Sequence, residues 1–225
     1  MTHIIKTIPR PDAKLIEGFL HHGSATVHES MGRFGAMKHT IKPLARGMKI
    51  CGPAFTVKIQ AGDNVMLLKA LHDAKPGDVI VVDAGRCEEA GPFGELMATE
   101  CKVKGLGGLV TTGSVRDTAE IIDIGFPVFS SAISIVGTVK ESLGLINHPI
   151  SAGDVIVNPG DLILGDDDGV VVIPLAQAEE ILRKSDLRVA KEAKTLERIR
   201  AGESIFDIYG YHTVLERQGC VEEEG

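Results

Sequence analysis

The sequence lacks tryptophan, and its aromatic residues make up only 4% of the 225 residues. The core must therefore be built from Val, Ile, Leu and Ala, a composition that suits a buried sheet. With 44% hydrophobic and 24% charged residues, the chain has the balance of an ordinary globular protein. Because 225 residues are few for two domains, we expect a single domain over 1–225.

Long apolar runs are also missing. No run approaches the ~20 residues that a membrane-spanning helix needs, and residues 1–10 carry no apolar signal core. The four cysteines form no C-x-x-C pair, and no histidine lies at the spacing of a metal finger. Free buried thiols in a reducing compartment are the simpler interpretation. We therefore expect a cytoplasmic protein with no membrane partner.

A surplus of positive charge is absent too, because the net charge is -7. Neutralising the phosphates of double-stranded nucleic acid requires a surplus of Lys and Arg, so we expect no nucleic-acid partner. A small anionic substrate remains compatible with this charge, since an acidic protein can carry a local positive site.

Apolar segments in the middle of the chain alternate between the strand and helix periods, which predicts βαβ units in an α/β fold. We predict strands at 54–59, 79–82, 109–112 and 127–129, and helices at 11–20, 64–72, 93–104 and 117–122, with a short helix and a loop within 24–38. After residue 135 short strands separated by Gly-Asp turns predict an antiparallel part, at 135–139, 155–157, 162–164 and 170–173. A long helix follows at about 174–201, and the tail 203–225 is predicted to be partly ordered at best.

A glycine-rich turn leads from the strand that ends near Asp83 into the helix 93–104. Gly94 precedes Glu95, Leu96 and Met97, whose backbone N–H groups would point outward at the helix start. Together with the helix dipole, these groups would form a site for a carboxylate. The alternative is that the glycines only permit the turn and that Glu95 complements the dipole.

The segment Gly113-Ser114-Val115-Arg116-Asp117 follows a strand and begins the next helix, at a sheet edge where ligands collect in α/β proteins. Asp117 and Glu120 fit a capping box, which would explain both acidic residues structurally. The cap does not explain Arg116, a cation at a helix N-terminus, where the dipole disfavours it. Arg116 therefore indicates an anionic neighbour.

Three further polar features have two interpretations each. Glu192 lies in an apolar stripe of the last helix, where apolar residues alternate at spacings of four and three. Its carboxylate either extends into water or reaches a site across a subunit boundary. Lys140 ends the strand 135–139 and is either solvated or able to reach the same sheet edge. The run Asp166-Asp167-Asp168-Gly169 looks like a metal cluster but lies between two strands, which favours a hairpin turn.

Taken together, these segments resemble the ribonuclease-regulator-like (RraA-like) family. The resemblance covers about residues 10 to 203 and rests on GELM at 94–97, GSVRD at 113–117, GFPVFS at 125–130, GTVKE at 137–141 and DDDGVVVIP at 166–174. Within the family the chain is similar to enzymes of bacterial aromatic-acid breakdown that cleave 4-hydroxy-4-methyl-2-oxoglutarate and 4-carboxy-4-hydroxy-2-oxoadipate. The resemblance implies a layered β/β/α (swivelling-domain-like) fold, and a homotrimer or homohexamer with sites at subunit interfaces.

The resemblance also implies an Mg²⁺- or Mn²⁺-dependent aldolase that releases pyruvate from a small anionic 2-oxo acid, with oxaloacetate decarboxylation as a side activity. The family's acidic residue, twenty intervening residues and Arg-Asp fall on Glu95, Arg116 and Asp117, although Asp is more usual at the first position. The implied roles are metal binding by Asp117, catalysis by Arg116, Glu95, Glu192 and Lys140, and substrate binding by Gly94, Glu95, Leu96, Met97 and Arg116.

Three other functions compete with this one. A non-catalytic protein-binding module, like the ribonuclease regulator, would not need to keep Glu95, Arg116, Asp117 and Glu192 together. A Schiff-base aldolase would use Lys140 as its amine. A methyltransferase is disfavoured because no G-x-G-x-x-G follows a strand.

Overall fold

The computed structural model describes residues 2–85 and 87–223. The chain forms two compact units, of which the first ends at Leu182 and the second begins at Arg183. This division does not decide the number of domains, so the single domain stays a prediction. None of the helices in the described ranges combines the length and the apolar character that crossing a membrane requires.

The secondary structure consists of eleven strands and eight α-helices within the described residues. The strands are β1 His3–Ile4, β2 Lys42–Pro43, β3 Ile50–Lys58, β4 Val79–Asp83, β5 Gly108–Val115, β6 Val128–Ile133, β7 Leu145–Ile146, β8 Ile150–Ala152, β9 Val155–Val157, β10 Leu162–Asp166 and β11 Gly169–Ile173. The helices are α1 Ala13–Leu20, α2 Ser24–Ser30, α3 Val65–Asp73, α4 Glu95–Val103, α5 Thr118–Ile124, α6 Ala178–Arg200, α7 Ile205–Ile208 and α8 His212–Arg217, and a 3-10 turn Leu175–Gln177 precedes α6.

The first unit is built on a sheet with the strand order β1-β7-β3-β4-β5-β6-β2. Neighbours from β3 to β6 are parallel, because α3, α4 and α5 connect them as the crossovers that parallel strands require. The βαβ prediction is therefore confirmed. Since the carboxyl ends of parallel strands share one edge of the sheet, the starts of α4 and α5 lie near each other.

Both faces of this sheet are buried, which confirms the β/β/α layering. On one face Ile80 and Val82 of β4 pack in a core with α3, α4 and α5. On the other face Val81 packs in a second core with residues of β8 to β11. β3 belongs to both β layers, because residues 50–53 pair with β10 while residues 54–58 pair with β4. The outer side of β10 and β11 packs against α1, α2 and the beginning of α6.

The acidic run at 166–168 forms a hairpin, as predicted, with Asp166 opposite Gly169 in the β10–β11 register. The Asp166 carboxylate accepts two hydrogen bonds of 2.6 Å from the backbone N–H and hydroxyl of Ser24. These two bonds stabilise the position of the start of α2 relative to the β10–β11 hairpin. The four cysteines are free, as predicted, but only Cys101 is fully buried and Cys220 is exposed. Burial raises the pKa of the Cys101 thiol to about 12.

One element prediction is corrected by the structure. The predicted strand 135–139 is not a strand and makes only isolated bridges, Val136 with Ala90 and Val139 with Asp63. Its apolar residues are largely exposed. The alternation of apolar and polar residues in this segment therefore does not correspond to a buried strand face. The tail 203–225 contains α7 and α8, and the Ser204 hydroxyl caps α7 by accepting the Phe206 N–H. Residues 224 and 225 lie outside the described residues.

Candidate active site

A cleft of about 300 Å³ lies where α4 and α5 begin. It brings together six of the residues that the sequence predicted at separate points of the chain: Gly94, Leu96, Met97, Arg116, Asp117 and Lys140. The remaining lining residues are Asn64, Leu68, Gly91, Pro92, Gly137 and Thr138. The predicted substrate-binding turn, the predicted metal ligand and the predicted lysine thus share one cleft.

Asp117 lies at the junction of β5 and α5 in the left-handed conformation, with φ 54° and ψ 44°. Its side chain makes no capping bond to α5. Instead, Oδ2 accepts a hydrogen bond of 3.1 Å from the Glu95 N–H at the start of α4. The capping-box interpretation with Glu120 is therefore wrong. Left-handed backbone at a non-glycine residue costs about 1–3 kcal/mol, and such strain clusters at functional sites.

Arg116 has the anionic neighbour that the sequence predicted, and that neighbour is Asp117. Arg116 Nε lies 3.5 Å from Asp117 Oδ2, and both side chains are more than a third exposed. An ion pair this exposed contributes only ~0–1 kcal/mol, so the guanidinium remains available to an anion in the cleft. The Arg116 N–H donates to the Phe93 carbonyl at 3.0 Å, which ties the end of β5 to the turn before α4.

Glycines allow these groups to approach each other. A Cβ at Gly94 would overlap Asp117 Oδ2 and come within 3.1 Å of Arg116 Cγ. A Cβ at Gly91 would overlap the carbonyl oxygen of Ser134. Gly94 has φ -152°, an extended backbone that any residue can adopt. Its glycine is therefore required by the close approach of Asp117 and Arg116, and not by the turn.

The start of α4 offers an anion site beside Asp117. The N–H groups of Leu96 and Met97 belong to the first helical turn, where N–H groups have no acceptor inside the helix. The positive end of the helix dipole adds to them. The Glu95 side chain is exposed and is not among the residues that line the cleft. Within one chain, the contact of Glu95 with the cleft residues is the hydrogen bond that its backbone N–H donates to Asp117.

Lys140 lies in a second segment of the cleft lining, and Asp63 holds that segment. Asp63 is 1% exposed, and its carboxylate accepts the backbone N–H groups of Glu141 and Ser142, both at 2.7 Å. Burial alone would raise the pKa of the Asp63 carboxyl, but hydrogen bonds from backbone N–H groups outweigh it and lower the pKa. Neither Asp63 nor Asn64 was a predicted site residue. An Asp-Asn pair is a sequence signal for the start of a helix. The contact of Asp63 with residues 141 and 142 depends on the fold, and the sequence does not indicate it.

Glu192 lies in the second unit, on α6. Its carboxylate is 2.8 Å from Nε of Arg188, one turn earlier, and the side chain is 40% exposed. Its neighbours in the apolar stripe, Val189 and Leu196, are exposed as well. The delivery of Glu192 to a site in another subunit stays a prediction.

The donor set at the cleft fits a cation that keeps most of its water. Within residues 2–85 and 87–223 no group of three or more His, Cys, Asp or Glu side chains could hold a metal. Zn²⁺ sites need three or four protein ligands, whereas Mg²⁺ is commonly bound through one or two carboxylates and several waters. Asp117 supplies one partly exposed carboxylate in the cleft. The residues present therefore fit Mg²⁺ or Mn²⁺ better than Zn²⁺.

Comparison with known proteins finds similar sequences and a similar fold. The family profile described as RraA-like, Aldolase/RraA, matches residues 24–172. A Halalkalibacterium halodurans protein named "Putative 4-hydroxy-4-methyl-2-oxoglutarate aldolase" is 44% identical over 154 residues, 68% of this chain and 73% of that protein. A Thermus thermophilus protein named "4-hydroxy-4-methyl-2-oxoglutarate aldolase" is 31% identical over 112 residues, 50% of this chain and 68% of that protein. The crystal structure of Streptomyces coelicolor RraAS2, described as an unusual member of the RNase ES inhibitor RraA protein family, matches with a TM-score of 0.72 and 29% identity, over 85% of this chain and 100% of that one.

Proposed function

Because this chain belongs to the RraA-like family, we propose that it is a divalent-metal-dependent aldolase that cleaves 4-hydroxy-2-oxo acids to release pyruvate. The observation that carries the proposal is the position of Asp117, whose carboxylate faces the start of α4 beside Arg116 instead of capping its own helix. The proposed substrates are 4-hydroxy-4-methyl-2-oxoglutarate, which gives two pyruvates, and 4-carboxy-4-hydroxy-2-oxoadipate, which gives pyruvate and oxaloacetate. Such acids arise in aromatic-acid degradation.

In the proposed reaction the C4 hydroxyl loses its proton, the C3–C4 bond breaks, and its electron pair forms the enolate of pyruvate. The N–H groups of Leu96 and Met97 receive the C1 carboxylate, and the Arg116 guanidinium stabilises the negative charge that develops on the C2 oxygen. A bound Mg²⁺ or Mn²⁺ would supply Lewis-acid polarisation at Asp117. We propose that Lys140, which also lines the cleft, pairs with a carboxylate at the distal end of the substrate.

The base is proposed to be a water held by an acidic residue, since no histidine is among the residues that line the cleft. Glu95, and Glu192 from a second copy of the chain, are the carboxylates proposed to hold such waters. The same enolate would form from oxaloacetate by loss of CO₂, so we also propose a decarboxylase side activity. A homotrimer or homohexamer would place Glu192 near the cleft of a neighbour.

The test measures pyruvate release from a panel of 4-hydroxy-2-oxo acids and oxaloacetate. We expect EDTA to abolish release, Mg²⁺ or Mn²⁺ to restore it, and Asp117→Asn to lower kcat by about 10²-fold or more, the scale of losing one electrostatic catalytic group. Asp123→Asn changes an exposed carboxylate on the same helix and should keep wild-type activity. Full activity in EDTA, together with borohydride trapping of pyruvate on Lys140, would contradict the metal-dependent reaction and favour a Schiff base.

A non-catalytic protein-binding module is the second candidate, favoured by the description of RraAS2 as a member of an RNase ES inhibitor family. The same panel separates the two functions. No pyruvate release with any of the acids or metals, together with inhibition of RNase ES by this chain, would favour the binding module.

A further inference from the structure

The segment that precedes α3 contacts two segments that contribute to the cleft lining, one before α4 and one around Lys140. Asp63 and Asn64 are only 1% and 8% exposed, and Asn64 lines the cleft directly. A polar pair before a helix normally serves the helix start, and Asp63 does accept the Val65 N–H at 2.9 Å. Their other side-chain hydrogen bonds leave the helix and go to residues 141 and 142 on one part of the chain and to Pro92 on another.

Asp63 contacts the segment around Lys140. One carboxylate oxygen accepts both the Glu141 and the Ser142 N–H groups. On the other side of Lys140, the Val139 N–H donates to the Gly62 carbonyl at 2.9 Å, and the Val139 carbonyl accepts the Asn64 N–H at 3.2 Å. The backbone is therefore fixed immediately before and after Lys140. Hydrogen bonds to an ionised carboxylate are about twice as strong as those between neutral groups.

Asn64 contacts the segment that leads into α4. Its Nδ2 donates to the Pro92 carbonyl at 2.9 Å and lies 3.9 Å from Met97 Sδ. Its Oδ1 is buried and accepts no hydrogen bond within the described residues, which is uncommon for a buried acceptor. Pro92 and Met97 flank the helix start that offers N–H groups to a carboxylate. Asn64 thus contacts the end of the cleft that is proposed to bind the 2-oxo acid.

We propose that Asp63 and Asn64 are positioning residues that each hold one segment of the cleft lining and divide substrate recognition between them. Asp63 places Lys140 for the distal carboxylate of the substrate. Asn64 places the start of α4 for the C1 carboxylate and C2 ketone. This assignment rests on the proposed function, because it uses the two ends of a 4-hydroxy-2-oxo acid.

The test uses two unreactive probes, pyruvate and 2-oxoglutarate, of which only the second carries a distal carboxylate. Their affinities are measured by ligand-observed NMR on the full chain with Mn²⁺ or Mg²⁺. We expect Asp63→Asn to weaken 2-oxoglutarate binding about tenfold and pyruvate binding by less than about twofold. In either orientation the introduced NH₂ group would face an N–H donor, that of Val65 or those of Glu141 and Ser142, and would loosen the segment that Asp63 holds. Asn64→Ala should weaken both probes to a similar extent, since both carry the 2-oxo acid end.

Asp161→Asn is the matched control. Asp161 is also buried and accepts backbone N–H groups, from Asn158 at 2.9 Å and Leu175 at 3.1 Å, but it is not among the cleft-lining residues. Asp161→Asn should leave the ratio of the 2-oxoglutarate affinity to the pyruvate affinity unchanged. An unchanged ratio in Asp63→Asn, or the same change in Asp161→Asn, would overturn the proposal.

Failure of the proposed function gives a different result. A wild-type chain that binds both probes but releases no pyruvate from the acid panel lacks the reaction, while the ratio in Asp63→Asn still decides the positioning role. If the wild type binds neither probe, the rate of hydrogen exchange of the Glu141 and Ser142 amides tests whether Asp63 holds the segment around Lys140. Faster exchange of both amides in Asp63→Asn would support the hold on this segment, and unchanged exchange would overturn it.

Discussion

At the scale of single residues, Arg116 and Asp117 are adjacent in sequence, have opposite charges and make different contacts in the cleft. Asp117 directs its carboxylate to the start of α4, whereas Arg116 lies along the cleft with its guanidinium partly exposed. The left-handed backbone of Asp117 allows this, because it turns the chain sharply between the end of β5 and the start of α5. The two groups therefore reach one cleft from consecutive positions.

Replacing Arg116 with Lys tests whether the shape of this cation matters. Lysine keeps the charge but loses the planar fork that can bridge an oxyanion and a carboxylate. We expect Arg116→Lys to lower kcat for pyruvate release by about 10²-fold or more, as for the loss of one oxyanion donor. Arg198→Lys, at an exposed ion pair with Glu203, is the control and should have no effect. A loss below about threefold would show that Arg116 only supports Asp117.

At the scale of elements, the site depends on how closely the starts of α4 and α5 approach each other. The residue at the start of α4 faces the carboxylate that precedes α5, and Gly94 leaves no side chain between them. Both helix dipoles point their positive ends toward this junction, which favours an anion there. The positive electrostatic field of the two helix starts would also attract a substrate carboxylate.

Gly94→Ala should therefore disable the site without unfolding the chain. The added methyl group would overlap Asp117 Oδ2 and crowd Arg116, while the φ of -152° remains allowed for alanine. We expect a loss of pyruvate release of about 10²-fold or more, comparable to the loss of an electrostatic catalytic group, with a thermal midpoint close to that of the wild type.

Gly23→Ala provides the matched control, because Gly23 also precedes a helix in extended conformation. Its Cβ would meet only Asp166 Oδ2, at an ordinary 3.8 Å. Activity should be unchanged. If Gly94→Ala is as active as Gly23→Ala, the close approach of Asp117 to α4 has no part in the reaction.

At the scale of the whole molecule, the proposal that the site is shared between two copies of the chain concerns Glu192. Glu192 belongs to the second unit, outside the matched segment 24–172. Leu96, which lines the cleft, is 84% exposed, and Ile135, two positions before the lining residue Gly137, is 91% exposed. Exposed apolar residues clustered at one place are typical of surfaces that another chain covers. These exposures support the proposal that a second copy closes the cleft and supplies Glu192.

Mixing two inactive variants tests this shared site. Glu192→Ala subunits and Asp117→Ala subunits should each be inactive alone, and mixed oligomers should recover part of the activity, because some sites would then combine both wild-type residues. Glu197→Ala, an exposed glutamate on the same helix, is the control and should stay active. If mass spectrometry shows subunit exchange and no activity returns, the shared site is wrong. Full activity of Glu192→Ala alone would make Glu192 an ordinary surface residue.

Several features of this protein follow from local sequence patterns, and their physical reason is local as well. The βαβ middle follows from alternating helix and strand periods, and the hairpin at 166–169 follows from turn chemistry between two apolar strands. The long last helix, α6, follows from Pro174 and an uninterrupted helical pattern. In each case the residues that decide the structure are a few positions apart, so the pattern can be interpreted without the fold.

The tertiary structure alone decided the features that depend on distant contacts. Asp117 accepts a hydrogen bond from a residue 22 positions away, so the capping box that its neighbours suggest does not form. Asp63 holds residues 78 and 79 positions away, and segment 135–139 becomes a wall of the cleft instead of a strand. A carboxylate takes whichever N–H donors the folded chain brings to it, and sequence spacing does not report which helix start or loop lies nearby.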